Sequence, residues 1–360
     1  MHSLHARPAL GKAVAGLPPY VAGRRAQNAL TAALASNESH YEPLPSVLES
    51  VRSTALLMNR YPDTASTELR QRLAEHLAVT ADELAVGPGS VGVLQQIITS
   101  FCDPGDEVVF AWRSFEAYPI LTALAGARPV PVPLLPDENH DLDAMAAAIT
   151  GHTRVILLCT PNNPTGTPIA SRALQAFLTR VPADVLVVID EAYVEYATGP
   201  DPVDSLALYR RHPNVCVLRT FSKAYGLAGL RVGYAVAAPE LADGLRRAAL
   251  PFAVSALAQR AAVASLDAAH EMAERVHGVV AERERLLAAL RAQGWQVPDS
   301  RANFLWLRTD AALHSELLHA FTTADTLVRS NAGDGIRVSL ADAATNDRVL
   351  NILGDRTAFG

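Results

Sequence analysis

Cysteine is scarce in this chain, with three residues among 360: Cys102, Cys159 and Cys216. No two of them stand at a metal-ligand spacing, and an odd count argues against a disulfide framework. Each sits in or beside an apolar run, the common setting of a buried free thiol. A reducing cytoplasm is the expected location, and no metal site is expected. Concentrated basic charge is also missing. The formal net charge is −6 and no block of like charge occurs, which excludes the clustered basic face of a nucleic-acid binder. No stretch approaches the ~20 apolar residues that cross a bilayer, so no membrane partner is expected. Arg24-Arg25 has the look of a twin-arginine export signal, but Asn28 and Thr31 interrupt the segment and no adequate apolar run follows. Internal repeats and low-complexity segments are absent as well.

What is present fits a globular protein with a sizeable core: 49% hydrophobic and 19% charged residues. The length is too great for one ordinary unit and implies two domains. Residues 1–35 are rich in Pro and Ala, with a turn-like Leu17-Pro18-Pro19-Tyr20, and read as an N-terminal arm. Residues 36–245 read as a large domain. In it, Val108–Phe110, Val155–Leu158, Val185–Ile189 and Val215–Leu218 are short, continuous apolar runs rich in β-branched residues, with Tyr234–Ala237 a weaker fifth. Such runs suit strands buried on both faces, as in a parallel sheet covered by helices. Residues 246–360 read as a smaller α+β unit. There Met272, Val276, Val279, Val280, Leu286, Leu287 and Leu290 form one apolar helix face that Gly294 ends. Strand-like Phe304–Leu307 and Ile336–Leu340 follow. The fold class is therefore α/β, mainly parallel, with a second α+β domain.

In open parallel sheets ligands sit beyond the carboxyl ends of the strands, so the loops there are where chemistry is sought. Asp190 directly follows an apolar strand, where a carboxylate is costly to desolvate unless a positive partner or several donors meet it. It could instead cap the next helix. Lys223, in Thr220-Phe221-Ser222-Lys223, also follows a strand, with hydroxyls beside it and Arg231 eight residues on. That set can hold a phosphate dianion next to an amine, and a lysine amine forms Schiff bases with carbonyl cofactors. The loop Cys159–Gly166 is stiffened by two prolines and a glycine, and Asn163 can present an amide to a ring substituent; a plain rigid turn is the alternative. Gly87-Pro88-Gly89-Ser90-Val91-Gly92 opens a helix whose amides suit an anion. It also matches a dinucleotide fingerprint, with acidic residues at 106 and 107, but Pro88 is awkward for that turn. The dinucleotide reading leaves Lys223, Asp190 and the Asn163 loop unexplained.

Together these stretches resemble the fold-type-I aminotransferases, which depend on pyridoxal 5′-phosphate, and more closely the histidinol-phosphate aminotransferase family. The resemblance runs from Leu17-Pro18-Pro19-Tyr20-Val21 to Gly335–Ser339. Its most specific parts are Asn162–Gly166, Asp190–Tyr193 and Ser222–Arg231. Trp112–Glu116 and Val194–Tyr196 look most similar to the family's actinobacterial aromatic-amino-acid (phenylalanine) branch.

The resemblance implies a role for each matched residue. Lys223 carries the cofactor as a Schiff base, Asp190 pairs with the ring nitrogen, and Tyr193 and Asn163 bond the ring oxygen. Phe115 stacks on the ring. Gly89, Ser90, Val91, Thr220, Ser222 and Arg231 hold the phosphate. Tyr61, in Asn59-Arg60-Tyr61-Pro62-Asp63, reaches the phosphate of a neighbouring subunit, which makes the chain a homodimer. Tyr20, Asn37, Arg329 and Arg337 face the substrate, with Arg337 on its acidic end.

Two substrate readings follow. In one, an aromatic amino acid donates its nitrogen to 2-oxoglutarate, giving a 2-oxo acid and glutamate. In the other, histidinol phosphate is the donor, its phosphate met by Tyr20, Arg329 and Arg337. After Asn37-Glu38 the family commonly continues Asn-Pro-Tyr-Gly, whereas this chain has Ser39-His40-Tyr41-Glu42. That departure, with the branch-like motifs, favours the aromatic reading. A lyase or decarboxylase using the same cofactor shares the core constellation, since the cofactor carries the chemistry. A cofactor-binding regulator would need a basic DNA-reading module, and neither end of the chain has one.

Overall fold

The computed structural model describes residues 8–17, 30–331 and 333–359. Eleven strands occur among them: β1 (Ala32–Leu34), β2 (Leu84–Gly87), β3 (Glu107–Trp112), β4 (Arg128–Pro133), β5 (Thr153–Cys159), β6 (Leu186–Asp190), β7 (Val215–Thr220), β8 (Gly233–Val236), β9 (Phe304–Arg308), β10 (Thr326–Asn331) and β11 (Gly335–Ser339). Seven make one sheet in the order β2-β8-β7-β6-β5-β3-β4. Every pairing in it is parallel except those of β8, which runs antiparallel to β2 and β7.

Continuous apolar strands imply burial on both faces, and the packing has that form. Ile156, Leu158, Val187, Ile189 and Val217 point into one core with Leu69 and Leu73 from the helix Thr67–Leu77. Their alternates Val155, Leu157, Leu186, Val188, Cys216 and Leu218 point into the opposite core with Val93, Leu94 and Ile97 from the helix Gly89–Phe101. Cys102, Cys159 and Cys216 are buried free thiols. The four remaining strands form a second sheet, β1-β10-β11-β9, with β1 parallel to β10 and the other pairs antiparallel. The helix Ala269–Ala292 buries Val276, Val279, Leu286, Leu287 and Leu290 against it. Gly294 then turns left-handed at φ +84°, as the helix-ending glycine requires.

All five strand candidates of the large domain and both of the smaller one are strands. Four others carried no such pattern. β4 reads Arg-Pro-Val-Pro-Val-Pro, and three prolines are tolerated because β4 is an edge strand pairing only with β3. β1, β2 and β10 are short or polar. The helix Ala256–Asp267 buries Ala258, Ala261, Ala262 and Leu266 in the larger sheet's core. We propose on that packing that the large domain extends to about residue 268 and not only to 245, and that Ala32–Leu34, from the arm, belongs with the smaller one.

The loop after β5 is a compact knot. Gly166 N–H donates to the Asn162 carbonyl at 2.7 Å, and Asn162 N–H to the Thr167 carbonyl at 2.8 Å. Gly166 holds φ +79°, and a Cβ there would lie 2.2 Å from Ser300 Oγ, itself fixed on the Phe304 carbonyl. Gly166→Ala is expected to lower stability by about 2 kcal/mol, the usual strain at such a position. Urea denaturation checks this, and an unshifted midpoint would show that the loop yields freely.

Candidate active site

β5, β6 and β7 lie side by side and parallel, so their following loops open at one edge. The register sets Asp190, the last residue of β6, beside Cys159 and Leu218. Lys223 comes three residues after the end of β7. These loops, the N-terminus of the helix Gly89–Phe101 and the β10–β11 hairpin enclose a cavity of about 320 Å³. A larger cleft, about 1480 Å³, is lined by His140 and Trp295 among others and includes neither Asp190 nor Lys223.

Asp190 is 5% exposed. Its Oδ2 accepts a hydrogen bond from the Tyr118 hydroxyl at 2.7 Å, and its Oδ1 has no partner among the described residues. Burial pushes its pKa up to about 6, against the opposing Tyr118 bond. A carboxylate left in that state calls for a buried cation or N–H. Lys223 is half-buried, and its Nζ donates to the Ser36 carbonyl at 3.0 Å. Desolvation, aided by the positive charges of Arg337 and Arg231, lowers its pKa to about 7. A large share of it is therefore neutral near physiological pH, as a nucleophile or base requires.

A polar chain closes the cavity between these two groups and the smaller sheet. Arg337 donates to Asn163 Oδ1 at 2.5 Å and to the Ala35 carbonyl at 2.7 Å. Asn37 Nδ2 donates to the Tyr193 hydroxyl at 3.0 Å, and Ser339 Oγ donates to Asn37 Oδ1 at 2.9 Å. Burial holds the Tyr193 phenol protonated, well above its ordinary range. Arg337 is 8% exposed, and its flanking residues Ile336 and Val338 pack into the smaller core. The strand alternation thus turns the guanidinium into the cavity.

At the other end Ser222, Thr220 and Arg231 converge in one polar cluster. Ser222 N–H donates to Thr220 Oγ1 at 3.1 Å, and Arg231 Nη1 donates to Ser222 Oγ at 3.1 Å. Ser90 and Val91, at the helix N-terminus, line the same space. Gly89 holds φ +75°, and a Cβ there would meet the Arg231 guanidinium at 2.3 Å. Gly233 lies so close behind that its Cβ would strike Ser90 N at 2.4 Å. Glycine at both places lets the helix amides and the guanidinium converge.

The comparisons with known proteins follow this geometry. The family description "Aminotransferase class I and II" matches residues 32–353. The chain belongs to that family. This aminotransferase is 52% identical over 347 residues to the aromatic amino acid aminotransferase of Streptomyces avermitilis, covering 96% of each chain. It is 50% identical to the one of Thermobifida fusca, again over 96% of each. Among solved structures, the histidinol-phosphate aminotransferase of Sinorhizobium meliloti in complex with pyridoxal-5′-phosphate superposes with a TM-score of 0.88. That pair shares 29% identity over 97% of each chain.

Most residues singled out from the sequence meet here: Ser90, Val91, Phe115, Asn163, Asp190 and Tyr193 line the cavity, as do Thr220, Ser222, Lys223 and Arg231. Asn37, Arg329 and Arg337 complete the wall toward the smaller sheet. Tyr61 does not line it; it is 83% exposed and stacks on Phe252 at 4.5 Å between centroids. Tyr20 lies outside the described residues. Sequence reasoning missed Tyr118, a buried position of the apolar helix Ala117–Leu124, and the binding of Glu116 to Arg329. It also passed over a simple signal for Lys223: the chain has only two lysines, Lys12 and Lys223, among its 31 basic residues.

The lowered pKa has a direct consequence. Capture of an aldehyde by Lys223, followed with pyridoxal phosphate and the cofactor-free protein, should speed up as pH rises through about 7 and level off above it. An ordinary lysine would go on gaining to about pH 10.4. A rate still climbing there would contradict the desolvated amine.

Proposed function

We propose that this aminotransferase moves the amino group of an aromatic L-amino acid to 2-oxoglutarate, with pyridoxal 5′-phosphate joined to Lys223. The observation that carries the chemistry is the pair of Asp190, with a buried oxygen unmet, and Lys223, with a neutral amine, in one cavity. The residues fit the cofactor on three counts. Asp190 Oδ1 would accept from the ring nitrogen; Asn163 and Tyr193 would face the ring oxygen; Gly89, Ser90, Val91, Thr220, Ser222 and Arg231 would hold the phosphate. Phe115 would cover one ring face.

When bound, the cofactor supplies an aldehyde carbon and a ring that stores the electron pair left when Cα loses its proton. The protein supplies the rest. Lys223 Nζ, deprotonated in good part near pH 7, would take the Cα proton and return it to the carbon that brought the aldehyde, across the intervening nitrogen. Asp190 would keep its negative charge against the ring nitrogen, because a buried cation opposite it removes the cost that raised its pKa. Arg337, fixed by Asn163 and the Ala35 carbonyl, would hold the substrate's α-carboxylate and so align Cα with Lys223.

The aromatic substrate is supported by relatives of about half identity that bear that name across nearly the whole chain. The structural likeness to a histidinol-phosphate aminotransferase keeps the phosphate ester as the second reading. A homodimer is supported by Tyr61, which stacks on Phe252, and by the exposed apolar side chains Leu56, Leu57, Met58 and Leu250 near these two in sequence. In that dimer Tyr61 would reach the neighbouring phosphate. Three buried thiols support a cytoplasmic location, and no helix among the described residues is long and apolar enough to cross a membrane.

Steady-state kinetics with 2-oxoglutarate as acceptor decide the substrate. Phenylalanine should exceed histidinol phosphate in kcat/KM by on the order of a hundredfold, a difference of about 2.7 kcal/mol in transition-state binding. The reverse order would give the enzyme to histidinol phosphate.

A further inference from the structure

Arg329 and Arg337 stand directly opposite each other on the antiparallel strands β10 and β11. Cross-strand partners leave the same face of a sheet, and like charges so placed repel. Each guanidinium is steadied from the larger domain. Arg337 has Asn163, as described, whereas Arg329 donates to the Glu116 carboxylate. Glu116 sits between Phe115 and the helix Ala117–Leu124, and Phe115, Glu116, Arg329 and Lys223 all line the one cavity. A second ion pair crosses the same junction in the opposite sense, with Arg113 Nε donating to Asp334 at 2.7 Å. Residues 113–116 are thereby tied twice to the β10–β11 hairpin.

The charge arrangement bears on substrate choice, and this step rests on the function proposed above. A transaminase that takes nitrogen from an aromatic amino acid and gives it to 2-oxoglutarate must fit both in one cavity. The first brings an uncharged ring; the second brings another carboxylate. An arginine facing the ring with nothing else to bind would be desolvated at a cost of several kcal/mol. An arginine neutralised irreversibly could not bind the acid.

We propose that Glu116 is a specificity-determining residue: a displaceable counter-ion that neutralises Arg329 while an aromatic side chain fills the cavity and yields it to the distal carboxylate of a dicarboxylic substrate. The exchange replaces one carboxylate by another on the same guanidinium, so the ion pair is never left broken. The exposures fit the direction of movement. The Glu116 side chain is 28% exposed and can swing toward solvent, while Arg329 is 12% exposed and stays. A phosphate monoester, carrying more charge, would have to displace Glu116 on every turnover.

The test uses the cofactor-loaded enzyme in single-turnover half-reactions, with glutamate and with phenylalanine, followed by cofactor absorbance. Glu116→Gln removes the competitor, so kcat/KM for glutamate relative to phenylalanine should rise about tenfold, the equivalent of about 1.4 kcal/mol. Glu116→Asp, which keeps the charge, should shift the ratio less. With Arg329→Gln already present, Glu116→Gln should no longer change it. A ratio unchanged in Glu116→Gln, or changed equally without Arg329, overturns the inference. Should Glu116→Gln not fold, Arg329→Gln alone decides: it should lower the glutamate value about tenfold more than the phenylalanine value, and equal losses overturn the proposal. If the wild type prefers another uncharged donor, the aromatic reading fails, and the ratio of glutamate to that donor still tests Glu116.

Discussion

The site depends on a carboxylate placed where water cannot reach it. Asp190 ends a strand buried on both faces, so the sheet that gives the protein its core also carries this oxygen out of solvent. One oxygen is satisfied by Tyr118 and the other is not. An unmet buried acceptor costs free energy in the cofactor-free protein, and a positively charged ring in the right place recovers it. In the proposed function, binding energy and catalysis would therefore come from the same atom. Tyr118 does more than fill the core, because its bond fixes which oxygen faces the cavity.

The second constraint is that the cavity spans two packing units. Asp190 and Lys223 come from loops of the seven-stranded sheet, whereas Arg329 and Arg337 come from the hairpin of the four-stranded one. At the substrate end the polar ties between them are Arg337 to Asn163, Asn37 to Tyr193, Glu116 to Arg329 and Arg113 to Asp334. Others, such as Arg308 to Glu138 and Arg283 to the Tyr196 carbonyl, lie away from that cavity. The proposed phosphate cradle within one chain, by contrast, draws on the larger sheet, through Gly89, Ser222 and Arg231. The geometry thus separates a fixed anchor for the cofactor from a wall that can respond to the substrate.

Much of this was legible in the residues. The parallel strands announced themselves because two-sided burial leaves no polar alternation, and the loops after them held the chemistry. Ile336 and Val338 mark one face of β11, and period-two alternation sends Arg337 to the other. Other features had no local signature. β4 is three prolines in six residues, and only its edge position makes it a strand. Tyr118 looks like any aromatic of an apolar helix. Glu116 and Arg329 are 213 positions apart, so nothing short of the fold shows that their charges meet. Lys223 was the opposite case: its place just past a strand, with hydroxyls beside it and Arg231 eight residues on, marked it locally.

The claim on which the rest hangs is that Asp190 holds a proton on the cofactor's ring nitrogen. Nitrogen-15 NMR of ring-labelled pyridoxal phosphate bound to the enzyme reads that proton directly. Near pH 8 the shift should be that of a protonated pyridinium, and it should move to the neutral value in Asp190→Asn. A neutral nitrogen in the unaltered enzyme, or a protonated one that persists without the carboxylate, would contradict the account.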